Sequence, residues 1–295
     1  MAIAHPFLYE KPGTVKQALQ LLAQHGAGAR VLAGGTDLVG QLVDGLVRPE
    51  IVVDLKGVPD LQEIRMEKDV IHIGALATFT DIMESPLIRK KLPVMAEMTE
   101  WVASRGVRNR GTMVGNICSA VPCCDSGPIL LVYGGKVLVK SARGQRAVPI
   151  AQWFTGPRRT VLAPGELVLG VRVPDPGKHG GAFVKMRRYK GEDLAQASVT
   201  ALLLAGNQWR IAFGSVAPTP IAGKRVEKLL HGKRLTPALV EEAVALTDQE
   251  TAPITDIRST REYRAHMLRV MMRRALEAAA SRKAGRGPAY GTELI

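Results

Sequence analysis

The chain has 295 residues, enough for two or three domains with a sizeable core, and 46% hydrophobic against 23% charged residues is a globular balance. Its 40 Lys and Arg outnumber 27 Asp and Glu, a net charge of +13. The basic residues fall in short pairs (Arg187-Arg188, Arg273-Arg274, Arg282-Lys283) with no nucleic-acid motif and 4% aromatics, which argues against a nucleic-acid binder and for a basic surface facing solvent or an acidic partner.

The pattern of elements begins with a short strand at Pro6-Phe7-Leu8-Tyr9. Thr14 caps a helix whose apolar positions Val15, Ala18, Leu19 and Leu22 form one stripe, and Gly26 and Gly28 stop it. Arg30-Val31-Leu32-Ala33 reads as a buried strand running into the small-residue segment Ala33-Gly34-Gly35-Thr36-Asp37-Leu38. A short helix to Asp44 and the strand Ile51-Val52-Val53-Asp54-Leu55 complete an α/β unit over residues 1–57. A second α/β unit spans residues 58–176. It holds a strand at Val70 to Gly74, a helix capped by Thr78, and one opened by Pro93 with Met95, Met98 and Val102 inward. Its glycine segment, Gly111-Thr112-Met113-Val114-Gly115-Asn116, is expected to end a strand-like run. Asp125-Ser126-Gly127-Pro128 opens an apolar helix to Tyr133, and strands follow at 136–139, 146–148 and 167–173.

Pro174 to Gly181 is the clearest linker. Beyond it, strands at 182–187, 197–204 and 209–213, with a turn at Asn207, predict an antiparallel meander. Helices from Pro237 and Thr260 follow, the second with Tyr263, Met267, Val270, Met271 and Ala275 on its core face; the tail after Ser281 has no periodicity. No apolar run reaches the length of a membrane span, and residues 1–6 lack the basic-then-apolar start of a signal peptide, so the expected location is cytoplasmic.

Both glycine segments turn backbone N–H groups toward one point with no side chain in the way, which is how a phosphate is held. Two of them, far apart in sequence, suggest one extended ligand with a pyrophosphate, such as FAD. Neither is a Gly-x-Gly-x-x-Gly or Walker loop, and each alone reads equally as an ordinary strand-to-helix turn. The six histidines show no metal spacing. Cys118, Cys123 and Cys124 form no disulfide framework, and an iron–sulfur cluster normally needs four ligands; they read as reduced thiols lining a loop. Nothing resembles an acid–base pair or an activated nucleophile.

Taken together, these segments resemble the FAD-binding medium subunit of molybdenum hydroxylases, a family that includes the medium subunit of aerobic carbon monoxide dehydrogenase and the flavin domain of xanthine dehydrogenase. The resemblance runs through the whole chain. It rests on Ala33 to Leu38, Arg108 to Ile117, Pro122 with Asp125, Pro164-Gly165-Glu166-Leu167, Phe183-Val184-Lys185, Asp193-Leu194-Ala195, and Asp256 to Thr260 with Tyr263-Arg264. It implies an α+β fold: two FAD-binding subdomains of the vanillyl-alcohol-oxidase type, then a C-terminal domain over 181–295 with a three-stranded antiparallel sheet packed by helices.

By the same resemblance, Val31, Leu32, Ala33, Gly34, Gly35, Thr36, Asp37 and Leu38 lie along the FAD pyrophosphate, and Gly111, Thr112, Val114, Gly115 and Asn116 approach it from the other side. Cys124 and Asp125 fall toward the ribose and adenine, Leu167 and Val168 make contacts along the cofactor, and Lys185 lies near the flavin, where a cation favours the anionic reduced form. Read from the residues alone, Asp37 and Asp125 are also helix caps, Lys185 a solvated strand residue and Asn116 a left-handed turn residue. The chain departs from the family at Val114, where a second glycine is usual, at Val121, Cys123 and Cys124, where smaller or polar residues are common, and at Val102, which aligns with a flavin-flanking aromatic.

The implied partners are a small subunit with two [2Fe-2S] clusters and a large molybdopterin subunit, in a dimer of heterotrimers. The implied role is to take electrons from those clusters and pass them to NAD or a quinone. The rival readings are a flavin-free assembly factor or degenerate homologue, to which Val114 is the one hint, and a stand-alone flavoprotein oxidase, for which the chain leaves no substrate domain.

Overall fold

The computed structural model describes residue 3 and residues 5–189 and 191–295. The reading of residues 1–6 as leader-free thus falls in part on Met1, Ala2 and Ala4, outside the described residues. The first unit comprises β1 (Leu8–Glu10), α1 (Val15–His25), β2 (Ala29–Leu32), α2 (Leu38–Val43) and β3 (Ile51–Asp54). Thr14 caps α1 by accepting from the Gln17 N–H, and Gly26 ends it at φ 49°. The strands form a parallel sheet in the order β1-β3-β2. Central β3 is buried throughout, its apolar Ile51, Val52 and Val53 in the interior and Asp54 buried at its end. In β2 only Ala29 is buried, which corrects the expectation of a buried strand.

The second unit contains β4 (Ile64–Glu67), β5 (Val70–Gly74), α3 (Phe79–Glu84), α4 (Pro86–Lys91), α5 (Pro93–Glu100), α6 (Arg105–Arg108), α7 (Met113–Ser119) and α8 (Ser126–Tyr133). It continues with β6 (Lys136–Ser141), β7 (Gly144–Pro149), β8 (Phe154–Gly156), β9 (Arg159–Thr160) and β10 (Leu167–Pro174). Five strands pair antiparallel in the order β4-β5-β10-β6-β7. The second glycine segment follows the helical turn α6, not a strand. One hydrophobic core runs continuously through the first two units, with Ile51, Val53, Ile71, Met95, Met98, Ile117 and Trp153 all buried in it.

The third unit is built from β11 (Gly180–Met186), β12 (Ala197–Leu203), β13 (Trp209–Gly214), β14 (Ile221–Ala222), α9 (Lys224–Leu230), α10 (Pro237–Glu250) and α11 (Arg261–Lys283). The expected meander is present, with a turn at Asn207, but two-residue β14 adds a fourth strand to the three expected. Helix α11 packs on β11 and β12, while α5 and α8 of the second unit also reach this sheet. The core face of α11 is Leu268, Met271, Met272, Ala275, Leu276 and Ala279; Tyr263, expected there, is half exposed. The tail is fixed as well: Arg282 donates to the Pro288 and Ala289 carbonyls and lies 4.3 Å from the Tyr290 ring centre.

Between β10 and β11, His179 joins the units. Its Nδ1 lies 2.7 Å from the Gly177 carbonyl and its Nε2 3.1 Å from the Tyr133 hydroxyl. A ring that donates from Nδ1 and accepts at Nε2 is neutral. Burial pushes its pKa below the ordinary histidine value, against the opposing pull of Asp175. A depressed folded-state pKa contributes stability above the ordinary histidine range, and that stability is lost as pH falls through the folded value. The melting-point advantage of wild type over His179→Gln is therefore expected to shrink between about pH 7 and pH 5.5. An advantage constant across that range would show that His179 stays neutral in the unfolded chain too, or charged in both states.

Candidate functional site

The three units enclose a cleft of about 1090 Å³. One wall is the first glycine segment, which leaves β2 at the carboxyl end of a parallel sheet, where such folds place ligands. Gly35 has φ 80°, and the Leu32 side chain lies directly beneath it. A Cβ on Gly34 would stand 1.9 Å from the Arg110 carbonyl oxygen, so the two glycine segments meet backbone to backbone. Among the described residues, no backbone carbonyl accepts from the N–H groups of Gly34, Gly35, Thr36 or Asp37. These donors are left for something in the cleft.

The opposite wall is the start of α7. Thr112 caps it by accepting from the Gly115 N–H at 2.9 Å, and the Gly111 carbonyl accepts from the Phe79 N–H at 3.0 Å, fixing the segment to α3. The Asn116 carboxamide oxygen accepts from the Ser126 N–H at 3.3 Å and the Cys124 thiol at 3.0 Å. Asn116 is therefore a helical residue tying α7 to α8, not a left-handed turn residue. The Val114 side chain is 4% exposed, sharing its surface between the core and the cleft wall. Asp37 makes no capping bond; its carboxylate accepts from the Ser119 hydroxyl at 2.6 Å across the cleft, joining the two walls.

Asp125 and Lys185 also line the cleft. The Lys185 ammonium donates to Asp125 Oδ2 at 2.7 Å and to the Trp101 carbonyl at 2.9 Å, with the Lys185 side chain 3% and the Asp125 side chain 8% exposed. Asp125 does not cap α8, and its Oδ1 is buried without a partner. Burial pushes the Asp125 carboxyl up while the Lys185 charge pulls it back. A buried carboxylate oxygen lacking a donor at a cleft wall is set to accept from a bound hydroxyl or N–H group. Cys118 and Cys123 line the cleft too; burial pushes the Cys118 thiol up to about 12 and the Cys123 thiol upward, so both stay protonated and weakly nucleophilic.

Of the predicted site residues, all line this cleft except Leu32 and Cys124. Leu32 alternates with Val31 and Ala33 along an extended chain and faces the other way, under Gly35. Cys124 turns its thiol to Asn116. Arg188 and Tyr189 both border the cleft, with Arg188 held by Asp193 at 3.0 Å. Arg158 escapes the sequence reading. It sits at the β8–β9 turn with φ 56° and donates its N–H to the carbonyl of Ala120, itself at φ 47°. No sequence signal marks it beyond the preceding Gly156-Pro157. Among the described residues, no His, Cys, Asp and Glu cluster could hold a metal ion.

The family described as the FAD binding domain in molybdopterin dehydrogenase matches residues 5–176, and the CO dehydrogenase flavoprotein C-terminal domain matches residues 181–279. The carbon monoxide dehydrogenase medium chain of Afipia carboxidovorans is 34% identical over 280 residues, 94% of this chain and 97% of that relative. A putative xanthine dehydrogenase FAD-binding subunit of Escherichia coli is 30% identical over 285 residues, 94% and 97% of the two chains. A structure of carbon monoxide dehydrogenase from Hydrogenophaga pseudoflava superposes with TM-score 0.91 at 32% identity, over 96% of this chain and 99% of that one.

Proposed function

This chain belongs to the family of FAD-binding domains in molybdopterin dehydrogenases, and from that premise we propose that it is the electron-transfer subunit of its complex, taking electrons from [2Fe-2S] clusters of a partner and passing them to NAD or a quinone. It is an FAD-binding subunit of an oxidoreductase. The observation that carries the reading is the backbone contact between the two glycine segments, which leaves unengaged N–H groups of the first segment beside a cleft of about 1090 Å³, roomy enough for a dinucleotide.

The residues fit that cofactor. The first segment, Val31 to Leu38 without the Leu32 side chain, and the N–H groups of Thr112 and Val114 would hold the pyrophosphate, while Gly111 and Gly115, whose own N–H groups bond Val107 and Thr112, leave room beside it. Asp125 Oδ1 would accept from a ribose hydroxyl, and Leu167 and Val168 would pack along the cofactor. Lys185, already engaged by Asp125, would set the local charge near the flavin. When bound, FAD supplies redox chemistry that couples two-electron to one-electron carriers. The protein contributes binding, orientation and exclusion of water.

Names such as medium chain and FAD-binding subunit among the relatives support membership of a multi-subunit complex; the small [2Fe-2S] partner, the large molybdopterin partner and their dimer of heterotrimers are part of the same proposal. The matched spans support a division near residues 176–181, and the two separate sheets of the FAD-binding part support its own division near residue 57. No helix among the described residues is long and apolar enough to cross a membrane. The purified protein is expected to show flavin absorption and to release an equimolar amount of FAD on denaturation. A colourless protein that refuses FAD even with its partner subunits would overturn the reading and leave the assembly-factor role.

A further inference from the structure

At the outer side of the first glycine segment lies a small polar network that takes no direct part in the cleft. Asp54 ends β3 level with Leu32 of β2 and is 1% exposed. Its Oδ2 accepts from the Tyr9 hydroxyl at 2.5 Å. Its Oδ1 accepts from the Lys56 N–H at 3.0 Å and meets the Lys56 ammonium at 2.7 Å. That ammonium also donates to the carbonyl of Ala33 at 3.3 Å. The chain of contacts thus runs from edge strand β1, through the end of the central strand, to the first peptide of the glycine segment. Burial pushes the Asp54 carboxyl up, but the bonds from Lys56 and Tyr9 prevail and hold it below the usual range, so the network stays charged.

The Ala33–Gly34 peptide is planar, so its C=O and N–H point in opposite directions. Fixing the carbonyl toward Lys56 fixes the N–H away from it. The Gly34 Cα on the far side already abuts the Arg110 carbonyl, which leaves the peptide little freedom to turn. We propose that Lys56, itself anchored by Asp54 and Tyr9, is a positioning residue that aims the Gly34 N–H into the cleft. It works as a backstop that touches the peptide, not the cofactor. Nothing else among the described residues bonds the Ala33 carbonyl. This inference rests on the FAD reading of the cleft for its consequence, but not for its geometry.

Lys56 is partly exposed, so Lys56→Met keeps the stem and removes only the donor. Lys16→Met, on the exposed face of α1, removes the same charge elsewhere. In the deflavinated protein, Lys56→Met is expected to weaken FAD binding about tenfold, because a charge-assisted restraint on the segment is gone. Lys56→Arg should retain most of the affinity and Lys16→Met all of it; Lys56→Met also takes the ammonium partner from the buried Asp54 carboxylate, so in that variant alone the melting temperature of the FAD-free protein should fall. In NMR spectra of FAD-free protein, the Gly34 and Gly35 amide signals should move in Lys56→Met and not in Lys16→Met. FAD affinity unchanged in Lys56→Met, or Gly34 and Gly35 amide signals that stay in place in that variant, would overturn the proposal. A wild type that never takes up FAD would defeat the flavin reading instead, and the amide signals would then judge Lys56 by themselves: unmoved glycines would refute it.

Discussion

Gly34→Ala is expected to abolish retention of FAD. The new Cβ would stand 1.9 Å from the Arg110 carbonyl oxygen, 2.7 Å from its carbon and 2.9 Å from the Gly111 Cα. All three are backbone atoms, so no side chain can rotate away, and the two glycine segments must part by an ångström or more. Parting them separates donors that must act on one pyrophosphate together. Losing two hydrogen bonds to a charged group lowers affinity on the order of a hundredfold or more. Overpacking also costs about 1–3 kcal/mol of stability. Gly40→Ala is the matched control, because nothing lies within 4 Å of its Cβ position and it sits in α2, where alanine is favoured by about 1 kcal/mol. FAD titrations of both variants decide the matter. Gly34→Ala binding as tightly as Gly40→Ala would mean that the segments do not grip the cofactor jointly.

Arg282→Met is expected to be the most damaging single change to folding. Its guanidinium makes two bonds to Glu97, at 2.7 and 2.9 Å, with the two side chains 2% and 0% exposed. Glu97 also accepts from the N–H groups of Phe183 and Gly291, while Arg282 donates to the carbonyls of Gly181, Pro288 and Ala289. One ion pair thus ties α5 of the second unit, the first strand of the third, and the C-terminal tail into a single knot. Removing the arginine leaves a buried carboxylate without its counter-charge, a loss of about 3–5 kcal/mol. At roughly 2–4 °C per kcal/mol, the melting temperature should fall by about 10 °C or more. The double variant Glu97→Leu, Arg282→Met should recover part of that loss, since the orphaned charge is gone. Thermal melts of the two single variants and the double form the cycle. Losses that simply add would show that the two residues act independently.

The same knot explains why the sequence misplaces the face of α11. Its buried face runs Arg264, Leu268, Met271, Ala275, Ala279, Arg282, a regular helical stripe with an arginine at each end. Hydrophobic patterning rejects both ends, because long-range partners satisfy their charges: Asp256 and the Gln196 carbonyl for Arg264, Glu97 for Arg282. The expected stripe of Tyr263, Met267, Val270, Met271 and Ala275 therefore shares buried Met271 and Ala275 with the true one but begins off its axis, at exposed Tyr263. The nearly apolar strands and the capped helices α1 and α3 were legible because local chemistry decides them. Strand β2 was misjudged as buried because an open cleft, not core, lies beside it. In the site, the resemblance marks the glycine segments, Asp125 and Lys185. It cannot show that Asp125 and Lys185 pair, that Asp37 reaches Ser119, or that Arg158 arrives from a distant turn. Those are meetings between segments that no local pattern records.

The Glu97–Arg282 pair also sets an order of events at the ribosome. The two residues lie 185 positions apart. At about 5–20 residues per second, roughly ten to forty seconds separate their synthesis. Until then α5 carries a carboxylate whose counter-charge has not been made, so its final docking must wait for the last helix. Nascent chains arrested shortly before Arg282 are therefore expected to be protease-sensitive around Glu97, although the FAD-binding segments are already complete. Docking of α5 is on this account a late event, timed by the synthesis of a helix nearly two hundred residues away.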